Sequence, residues 1–275
     1  MKPQLIAFDL DNTFLDSEKH ISRDNMDAIE RAHRNGAWIV PATGRFPGGL
    51  PHELEQIPFI RYLITINGAV VYDRKTGETL YRAAIPLERT LAVMRFLATQ
   101  DAIYDCYMET EAFMTRALWE KADRYIESEY YRERVKALRT PVDSLPEYVE
   151  QHGKGASKIQ MFTNDMALRA RLLDDLPVRF PGLSVSTSLP DNIEITDENA
   201  HKGLALTRLA EILNVPKERT FAIGDGTNDL SMIRCAGHGV AMGNAYDSVK
   251  AVADEVTADC DHGGFAMAVN AAMDR

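Results

Sequence analysis

The stretch QLIAFDLDNTFL, residues 4–15, predicts a buried strand that ends in carboxylates. Residues 5–8 form an apolar run that is too short for a helix and is typical of a buried strand. Asp9 and Asp11 follow at once, and side chains two residues apart in an extended chain point the same way. Two neighbouring carboxylates repel, so in a partly buried place one of them binds a proton or a cation lies beside them. The stretch therefore indicates a metal site, an acid–base pair, or both.

Two other interpretations apply to the pattern Asp-x-Asp. Acidic residues often end strands, so an ordinary turn stays open for this pair taken alone. A calcium-binding loop also begins Asp-x-Asp, but it needs Gly at its sixth position and Glu at its twelfth. Phe14 and His20 occupy those positions here. A calcium loop is therefore excluded.

The composition indicates a globular protein of two domains. The chain has 275 residues, of which 45% are hydrophobic and 26% charged. That length allows a sizeable core and favours two domains over one. The net charge of −10 argues against a nucleic-acid or anionic-membrane partner, because either would need a basic face. A negatively charged substrate would have to be attracted by a local site, and we expect a monomer or homodimer.

Targeting and cysteine patterns predict a cytoplasmic location. No stretch has the length or composition of a membrane span, and the N-terminus lacks the pattern of a cleavable signal. The three cysteines have no metal-ligand spacing and are odd in number. We therefore expect reduced thiols, as in a cytoplasmic protein.

Polar clusters follow further short apolar runs. Residues 37–41 form a second run that leads into Thr43-Gly44-Arg45, and residues 62–66 form a third that leads into Asn67-Gly68-Ala69. Strands that alternate with helices predict a parallel sheet with right-handed crossovers. Ligands bind beyond the carboxyl ends of such strands. All three polar clusters are expected at that edge.

The middle of the chain has a different sequence pattern. Residues 84–191 mix strands and helices without acidic residues at the strand ends, which predicts an inserted α+β domain. The flanking segments, 1–83 and 192–275, then form one α/β core with a Rossmann-like parallel sheet.

A lysine opens a helix in the last third of the chain. Lys202 lies in the first turn of an apolar-striped helix, where a cation opposes the helix dipole. A solvated surface lysine is one explanation, and an anion bound at this helix start is another. Thr43 also indicates an anion site, because its hydroxyl and the main-chain N–H groups of Gly44 and Arg45 are suited to bind a phosphate oxygen.

The strand predicted at residues 220–223 ends in Gly224-Asp225-Gly226-Thr227-Asn228-Asp229. The dinucleotide pattern G-x-G-x-x-G is incomplete, because Asp229 replaces its third glycine. A helix start that carries acidic residues for local reasons is the alternative, since the dipole favours them there.

Taken together, these motifs resemble the haloacid dehalogenase superfamily, and in particular its Cof-type phosphatase branch, over the whole chain. The family usually has Gly where this chain has Asn12, and Asn also tolerates turn dihedrals. The resemblance implies that residues 84–191 form an inserted cap of the C2B type. The motifs that carry it are Asp9/Asp11, Thr43-Gly44-Arg45, Asn67-Gly68-Ala69, Lys202-Gly203, Gly224-Asp225…Asn228-Asp229 and Met242-Gly243-Asn244-Ala245.

The resemblance also implies a phosphatase of a small phosphate ester with named site residues. Asp9 would be the nucleophile that forms an aspartyl-phosphate, and Asp11 the acid and base. Mg²⁺ would be held by Asp9, the Asp11 carbonyl and Asp225, while Asp229 would orient a metal-bound water. The phosphoryl group would be held by the Leu10 amide, Thr43, Gly44, Lys202 and Asn228.

Alternatives and the substrate stay open at this point. A phosphomutase shares all four motifs, and a phospho-acceptor signalling protein has a comparable acid set but needs about half this length. A dehalogenase is disfavoured, because the family's dehalogenases lack the second Asp. Sugar phosphates, flavin mononucleotide and pyridoxal phosphate all suit a capped enzyme. Cap residues that could select among them are Tyr104, Tyr107, Arg116, Trp119 and Tyr125.

Overall fold

The computed structural model describes all 275 residues. The strands, in chain order, are β1 (Leu5–Phe8), β2 (Trp38–Pro41), β3 (Tyr62–Thr65), β4 (Val70–Asp73), β5 (Glu78–Arg82), β6 (Ile103–Met108), β7 (Glu111–Thr115), β8 (Thr140–Val142), β9 (Lys158–Phe162), β10 (Leu183–Ser186), β11 (Asn192–Asp197), β12 (Thr220–Gly224), β13 (His238–Ala241) and β14 (Glu255–Val256). The helices are α1 (Arg23–Arg34), α2 (His52–Glu55), α3 (Leu87–Leu97), α4 (Arg116–Trp119), α5 (Ala122–Tyr125), α6 (Glu129–Leu138), α7 (Leu145–His152), α8 (Met166–Arg179), α9 (Lys202–Ile212), α10 (Leu230–Cys235), α11 (Asp247–Lys250) and α12 (Gly264–Asp274).

The chain divides into two compact units, which are described separately. The first consists of residues 1–45, 50–81 and 201–275, and the second of residues 46–49 and 82–200. The predicted boundary would assign residues 192–200 to the core, whereas the structure includes them in the second unit, where β11 pairs with β9 and β10. None of the helices combines the length and the apolar character that crossing a bilayer requires.

A parallel sheet organises the first unit. Its five strands lie in the order β14-β13-β12-β1-β2, and every neighbouring pair is parallel. All four residues of β1 are buried, as expected of a strand covered on both faces. Phe8, at the end of β1, packs its ring against those of Phe14 and Phe265, with centroids 4.9 and 5.3 Å away. The predicted parallel sheet is therefore confirmed, and β1 lies inside it, between β12 and β2.

The third predicted strand joins this sheet at one point. Ala42 forms a parallel bridge with Ile64 of β3, and the Thr43 N–H donates to the Ile64 carbonyl at 2.8 Å. Along its length β3 instead pairs antiparallel with β4, in a small sheet of order β3-β4-β5. The loop after β2 is thus attached directly to the end of β3.

Local sequence signals explain how the crossover helices begin and end. Ser22 caps α1 by accepting a hydrogen bond from the Asn25 N–H at 3.1 Å. Gly36, just after this helix, has a φ of +86°, which glycine adopts without strain. The connection between β2 and β3 contains only a single α-helical turn, α2.

The second unit is built on a six-stranded sheet of order β10-β11-β9-β6-β7-β8. One face is apolar and packs in a core with α3, α7 and α8; Tyr104 belongs to this core. The pleat turns the alternate residues of β6, β9 and β11 to the opposite face, where several polar residues are buried beside the apolar Ile103 and Phe162. These polar residues include Asp105, Tyr107, Lys158, Gln160 and Glu194.

Ion pairs and hydrogen bonds connect the side chains of this polar face. Arg139 donates from Nε to Asp105 Oδ2 at 2.8 Å and also donates to the Tyr107 hydroxyl. Tyr107 in turn donates to Gln160 Oε1 at 2.9 Å. The Lys158 ammonium lies 3.0 Å from Glu194 Oε1. These charges are therefore buried as pairs, whereas Asp105 Oδ1 has no hydrogen-bond partner.

Candidate active site

Asp9 lies at the carboxyl end of β1. Its N–H donates to the Ile223 carbonyl of β12, which fixes the backbone beyond β1. The side chain is buried, and its Oδ1 accepts a hydrogen bond from Lys202 Nζ at 2.6 Å. Burial, together with the nearby Asp229 and Asp225 carboxylates, raises the pKa of Asp9 to about 8 despite the lysine. Asp9 is thus a buried carboxyl group that needs positive charge in order to stay ionised.

Lys202 supplies part of that charge. Its side chain is fully buried, and its ammonium lies 2.6 Å from both Asp9 Oδ1 and Asp229 Oδ1. Burial alone would lower the pKa of Lys202, but the Asp229 and Asp9 carboxylates outweigh it and raise that pKa. The structure therefore explains why a cation begins α9 against the dipole: it neutralises buried carboxylates, and it is not a solvated surface lysine.

Asp225 and Asp229 follow β12 and have different environments. Asp229 is fully buried, and its Oδ2 accepts the main-chain N–H groups of Asp225 and Gly226 at 3.0 and 2.9 Å. Asp225 is partly exposed, and its Oδ1 accepts a hydrogen bond from the Thr13 hydroxyl at 2.9 Å. Burial raises the pKa of Asp225 to about 6. Asp229 therefore holds the loop and the lysine, while Asp225 keeps one carboxylate oxygen free of protein hydrogen bonds.

The donor set suits a hard divalent cation. Carboxylate oxygens of Asp9, Asp225 and Asp229 lie within 4.8 Å of one another. Both oxygens of Asp229 are already hydrogen-bonded, whereas Asp9 and Asp225 each use only one oxygen in that way. Oxygen-only ligands are the preference of Mg²⁺. The residues present therefore fit this ion, with Asp9 and Asp225 as the better placed pair.

The carboxylate of Asp11 binds two cations other than Lys202. Arg45 donates from Nη2 to Oδ1 at 2.8 Å and from Nε to Oδ2 at 3.2 Å, and Lys19 Nζ lies 3.4 Å from Oδ1. Although burial acts in the opposite direction, these contacts hold the pKa of Asp11 below its usual value. Asn12, in the turn that follows, has a φ of +59°, the left-handed conformation expected where the family usually has Gly. Asp11 is thus held as a carboxylate on the partly exposed side of the site.

Three of the predicted phosphate-binding residues, Thr43, Gly44 and Asn228, lie on the loops after β2 and β12. Thr43 is buried, and its hydroxyl accepts the Arg45 N–H at 3.2 Å. Asn228 donates from Nδ2 to Asn67 Oδ1 at 3.0 Å, and the same oxygen lies 2.9 Å from the place a Cβ on Gly44 would take. The loops after β2, β3 and β12 therefore meet, as their position at one edge of the sheet predicts.

Four residues in these contacts had no side-chain role in the sequence prediction: Thr13, Lys19, Arg45 and Asn67. Arg45 and Asn67 belong to motifs that the sequence does display, but only their main-chain and turn properties suggested a use. The Asn244 side chain donates to the Asn12 carbonyl and accepts the Cys260 N–H, which ties the C-terminal loop to the turn after β1. In the same loop, Asp261 accepts the Ser17 N–H.

The family of the chain follows from comparison with known proteins. The family model for haloacid dehalogenase-like hydrolases matches residues 6–269. The chain belongs to this family. Membership confirms the predicted superfamily and its Cof-type branch, together with the fold class of a parallel-sheet core and a cap.

Similar proteins in the family include two from Bacillus subtilis (strain 168). One is phosphatase YwpJ, 29% identical over 96% of this chain and 97% of that protein. The other is 5-amino-6-(5-phospho-D-ribitylamino)uracil phosphatase YcsE, 30% identical over 97% of this chain and 94% of that protein. A solved structure of a haloacid dehalogenase-like hydrolase from Bacteroides thetaiotaomicron is 29% identical, covers 98% of this chain and 99% of its own, and has a TM-score of 0.83.

Proposed function

We propose that the protein is an Mg²⁺-dependent phosphatase that hydrolyses a small phosphorylated metabolite through an aspartyl-phosphate on Asp9. The observation that carries the proposal is the buried pairing of Asp9 with Lys202 beside Asp225 and Asp229. Such an arrangement has one ammonium for three carboxylates, which leaves an excess of negative charge that a divalent cation would neutralise. Membership of a hydrolase family supports the same reaction.

Each step of the reaction has a residue suited to it. A carboxylate oxygen of Asp9 attacks phosphorus, and the bond from phosphorus to the ester oxygen breaks. Asp11, after taking up a proton from solvent, gives it to the departing oxygen and then takes one from the water that attacks the aspartyl-phosphate, which releases phosphate and restores Asp9. Proton transfer of this kind is worth about 10²–10⁴-fold in rate. Arg45 holds Asp11 ionised, which suits the second step.

Positive charge and hydrogen-bond donors at fixed places lower the barrier for phosphoryl transfer. Lys202 reaches Asp9 and is available to a phosphoryl oxygen, and Thr43, Gly44, Asn228 and the Leu10 amide are proposed to hold the others. Asp9 and Asp225, with the Asp11 carbonyl, would hold Mg²⁺. The bound ion would neutralise charge on the phosphoryl group. Asp229 orients Lys202 and the loop after β12, and we propose that it also orients a metal-bound water.

The proposed substrates are small phosphate esters, either sugar phosphates or esters of the flavin mononucleotide or pyridoxal phosphate type. The name of YcsE supports this class, since that relative acts on a phosphorylated ribityl group attached to a uracil ring. A screen of phosphorylated metabolites for phosphate release would identify the ester. Transfer of the phosphoryl group to a second sugar hydroxyl, and not to water, would identify a phosphomutase instead.

The test is the replacement of Asp9. With p-nitrophenyl phosphate and Mg²⁺, we expect the wild-type protein to release phosphate and Asp9→Asn to release none while remaining folded. Asp27→Asn, an exposed position on α1, is the matched control and should retain wild-type turnover. EDTA should stop the reaction, and added Mg²⁺ should restore it. Turnover by Asp9→Asn, or full activity in EDTA, would contradict the proposal.

A further inference from the structure

The loop between β3 and β4 has an unusual backbone conformation. Ile66, Asn67 and Gly68 follow one another with φ values of +52°, +54° and +96°. Glycine adopts such values freely and Asn tolerates them, but they are unfavourable for a β-branched residue such as Ile66. A conformation of this kind persists only where the surrounding structure fixes it, and it is found most often at functional sites. The contacts of this loop therefore require an explanation.

Main-chain hydrogen bonds connect the loop to the one that carries Thr43. The Ile66 N–H donates to the Arg45 carbonyl at 2.9 Å, and the Asn67 N–H donates to the Thr43 carbonyl at 3.0 Å. The positive φ values turn both N–H groups toward the same neighbour. The loop after β3 therefore fixes the conformation of Thr43-Gly44-Arg45.

The same loop touches the start of α9. A Cβ on Gly68 would lie 2.3 Å from the carbonyl carbon of His201 and 2.6 Å from the Lys202 nitrogen. Contacts this close admit no side chain, so the backbone of Gly68 packs directly on the residue from which the buried lysine extends.

The side chain of Asn67 contacts that of Asn228. The Asn228 amide nitrogen donates to Asn67 Oδ1 at 3.0 Å, while Asn228 Oδ1 lies 2.4 Å from the place a Cβ on Gly226 would take. A side-chain amide has two N–H groups, so one stays available after this bond is made. If the Asn228 amide were turned over, its carbonyl oxygen would face Asn67 Oδ1, and two acceptors would repel.

We propose that Asn67 is a positioning residue for the phosphate site: it holds Asn228 so that an N–H, and not the carbonyl oxygen, is presented to the phosphoryl group. This inference rests on the proposed function of the site. Asn67 contacts Asn228 and the Gly44 region and acts through them, so it need not touch the substrate. If Asn67 served only to adopt the left-handed φ, the effects of replacing Asn67 and Asn228 would be independent of each other.

The test uses binding of inorganic phosphate to the Mg²⁺-loaded protein, measured by calorimetry. Asn67→Gly permits the same φ and removes only the side chain. We expect it to weaken phosphate binding about tenfold, the size of one hydrogen bond to a charged ligand. In the Asn228→Ala background the same substitution should change binding by less than about twofold, because residues that act through one contact are not additive. Asn67→Asp keeps the accepting oxygen and should therefore preserve the energetic coupling between positions 67 and 228.

Asn214→Gly is the matched control. Asn214 is exposed, follows α9 and has the same φ of +54°, so this replacement has the same backbone chemistry and should leave phosphate binding unchanged. Wild-type binding by Asn67→Gly, or an equal loss in both backgrounds, would overturn the inference. Turnover of p-nitrophenyl phosphate is measured on the same samples. A protein that binds phosphate with the expected coupling but hydrolyses no ester would disprove the proposed function and leave this inference standing.

Discussion

The ammonium group of Lys202 lies 2.6 Å from Oδ1 of Asp9, a residue 193 positions earlier in the chain, and its side chain has no exposed surface. Asp229 accepts a hydrogen bond from the same ammonium. Removal of one partner from a buried ionic group leaves an uncompensated charge, which costs far more than an exposed pair contributes. Lys202 therefore contributes to the stability of the fold, in addition to its proposed role in the reaction.

Replacing Lys202 by methionine tests this dual role. Lys202→Met keeps the side-chain volume but leaves Asp9 and Asp229 buried without their cation, so we expect the free energy of unfolding to fall by about 3–5 kcal/mol. Denaturant unfolding followed by the fluorescence of Trp38, on β2, measures the loss. Lys217→Met, at an exposed position, should change it by less than about 0.5 kcal/mol. Equal stability of the two variants would show that the buried pair contributes nothing to the fold.

The raised pKa values of Asp9 and Asp225 predict how Mg²⁺ binding depends on pH. Burial raises these pKa values to about 8 and about 6. A carboxyl group must lose its proton before it binds a metal, so protons compete with the ion and the affinity rises with pH. From about pH 5.5 to about pH 8.5 we expect an increase of about tenfold for each pH unit in which one proton is displaced. Calorimetric titration with Mg²⁺ measures it.

Asp225→Asn is the comparison for this titration. It removes one of the two better placed ligands, so we expect weaker Mg²⁺ binding and a shallower dependence on pH. Affinity that falls as pH rises, or that is unchanged in Asp225→Asn, would mean that the ion does not bind at these carboxylates.

The proposed role of Asp11 as proton donor predicts a dependence on the leaving group. p-Nitrophenolate departs without a proton, whereas the alkoxide from glycerol phosphate needs one, which Asp11 is proposed to donate. Asp11→Asn should therefore reduce kcat/KM for glycerol phosphate by about 10²-fold more than kcat/KM for p-nitrophenyl phosphate. Steady-state kinetics with both esters measure the ratio. An equal loss with both would exclude Asp11 as the proton donor and leave it only the second step.

The sequence allowed prediction of those parts of the site that local patterns specify. An apolar run followed by Asp9 and Asp11 marks the end of a strand, and Lys202 stands out because it opposes a helix dipole. Both signals come from neighbouring residues. The proximity of Asp9 to Asp225 and Asp229 then follows from the parallel pairing of β1 and β12, which places their carboxyl ends side by side.

Other features depend on distant contacts that no local pattern specifies. Asp11 meets Arg45 across 34 residues, and nothing in either motif selects that partner. The φ of +52° at Ile66 contradicts the preference of a β-branched residue, so only the neighbouring loops account for it. Residues 192–197 have the composition of a strand in either unit, and only pairing with β9 and β10 assigns them.

The buried polar face of the second unit gives the last prediction. Asp105 is fully buried, and Arg139 is the cation bonded to it. Arg139→Met should leave that charge uncompensated and lower the free energy of unfolding by about 3–5 kcal/mol. Trp119 of α4 reports on this unit, and Trp38→Phe removes the signal of the chain's other tryptophan. Arg171→Met breaks an exposed pair with Asp175 and should cost less than about 1 kcal/mol. Adding Asp105→Leu to Arg139→Met should recover stability, because an apolar pair has no charge to desolvate. A double variant less stable than Arg139→Met would show that the stability lost in Arg139→Met comes from packing and not from the unpaired charge.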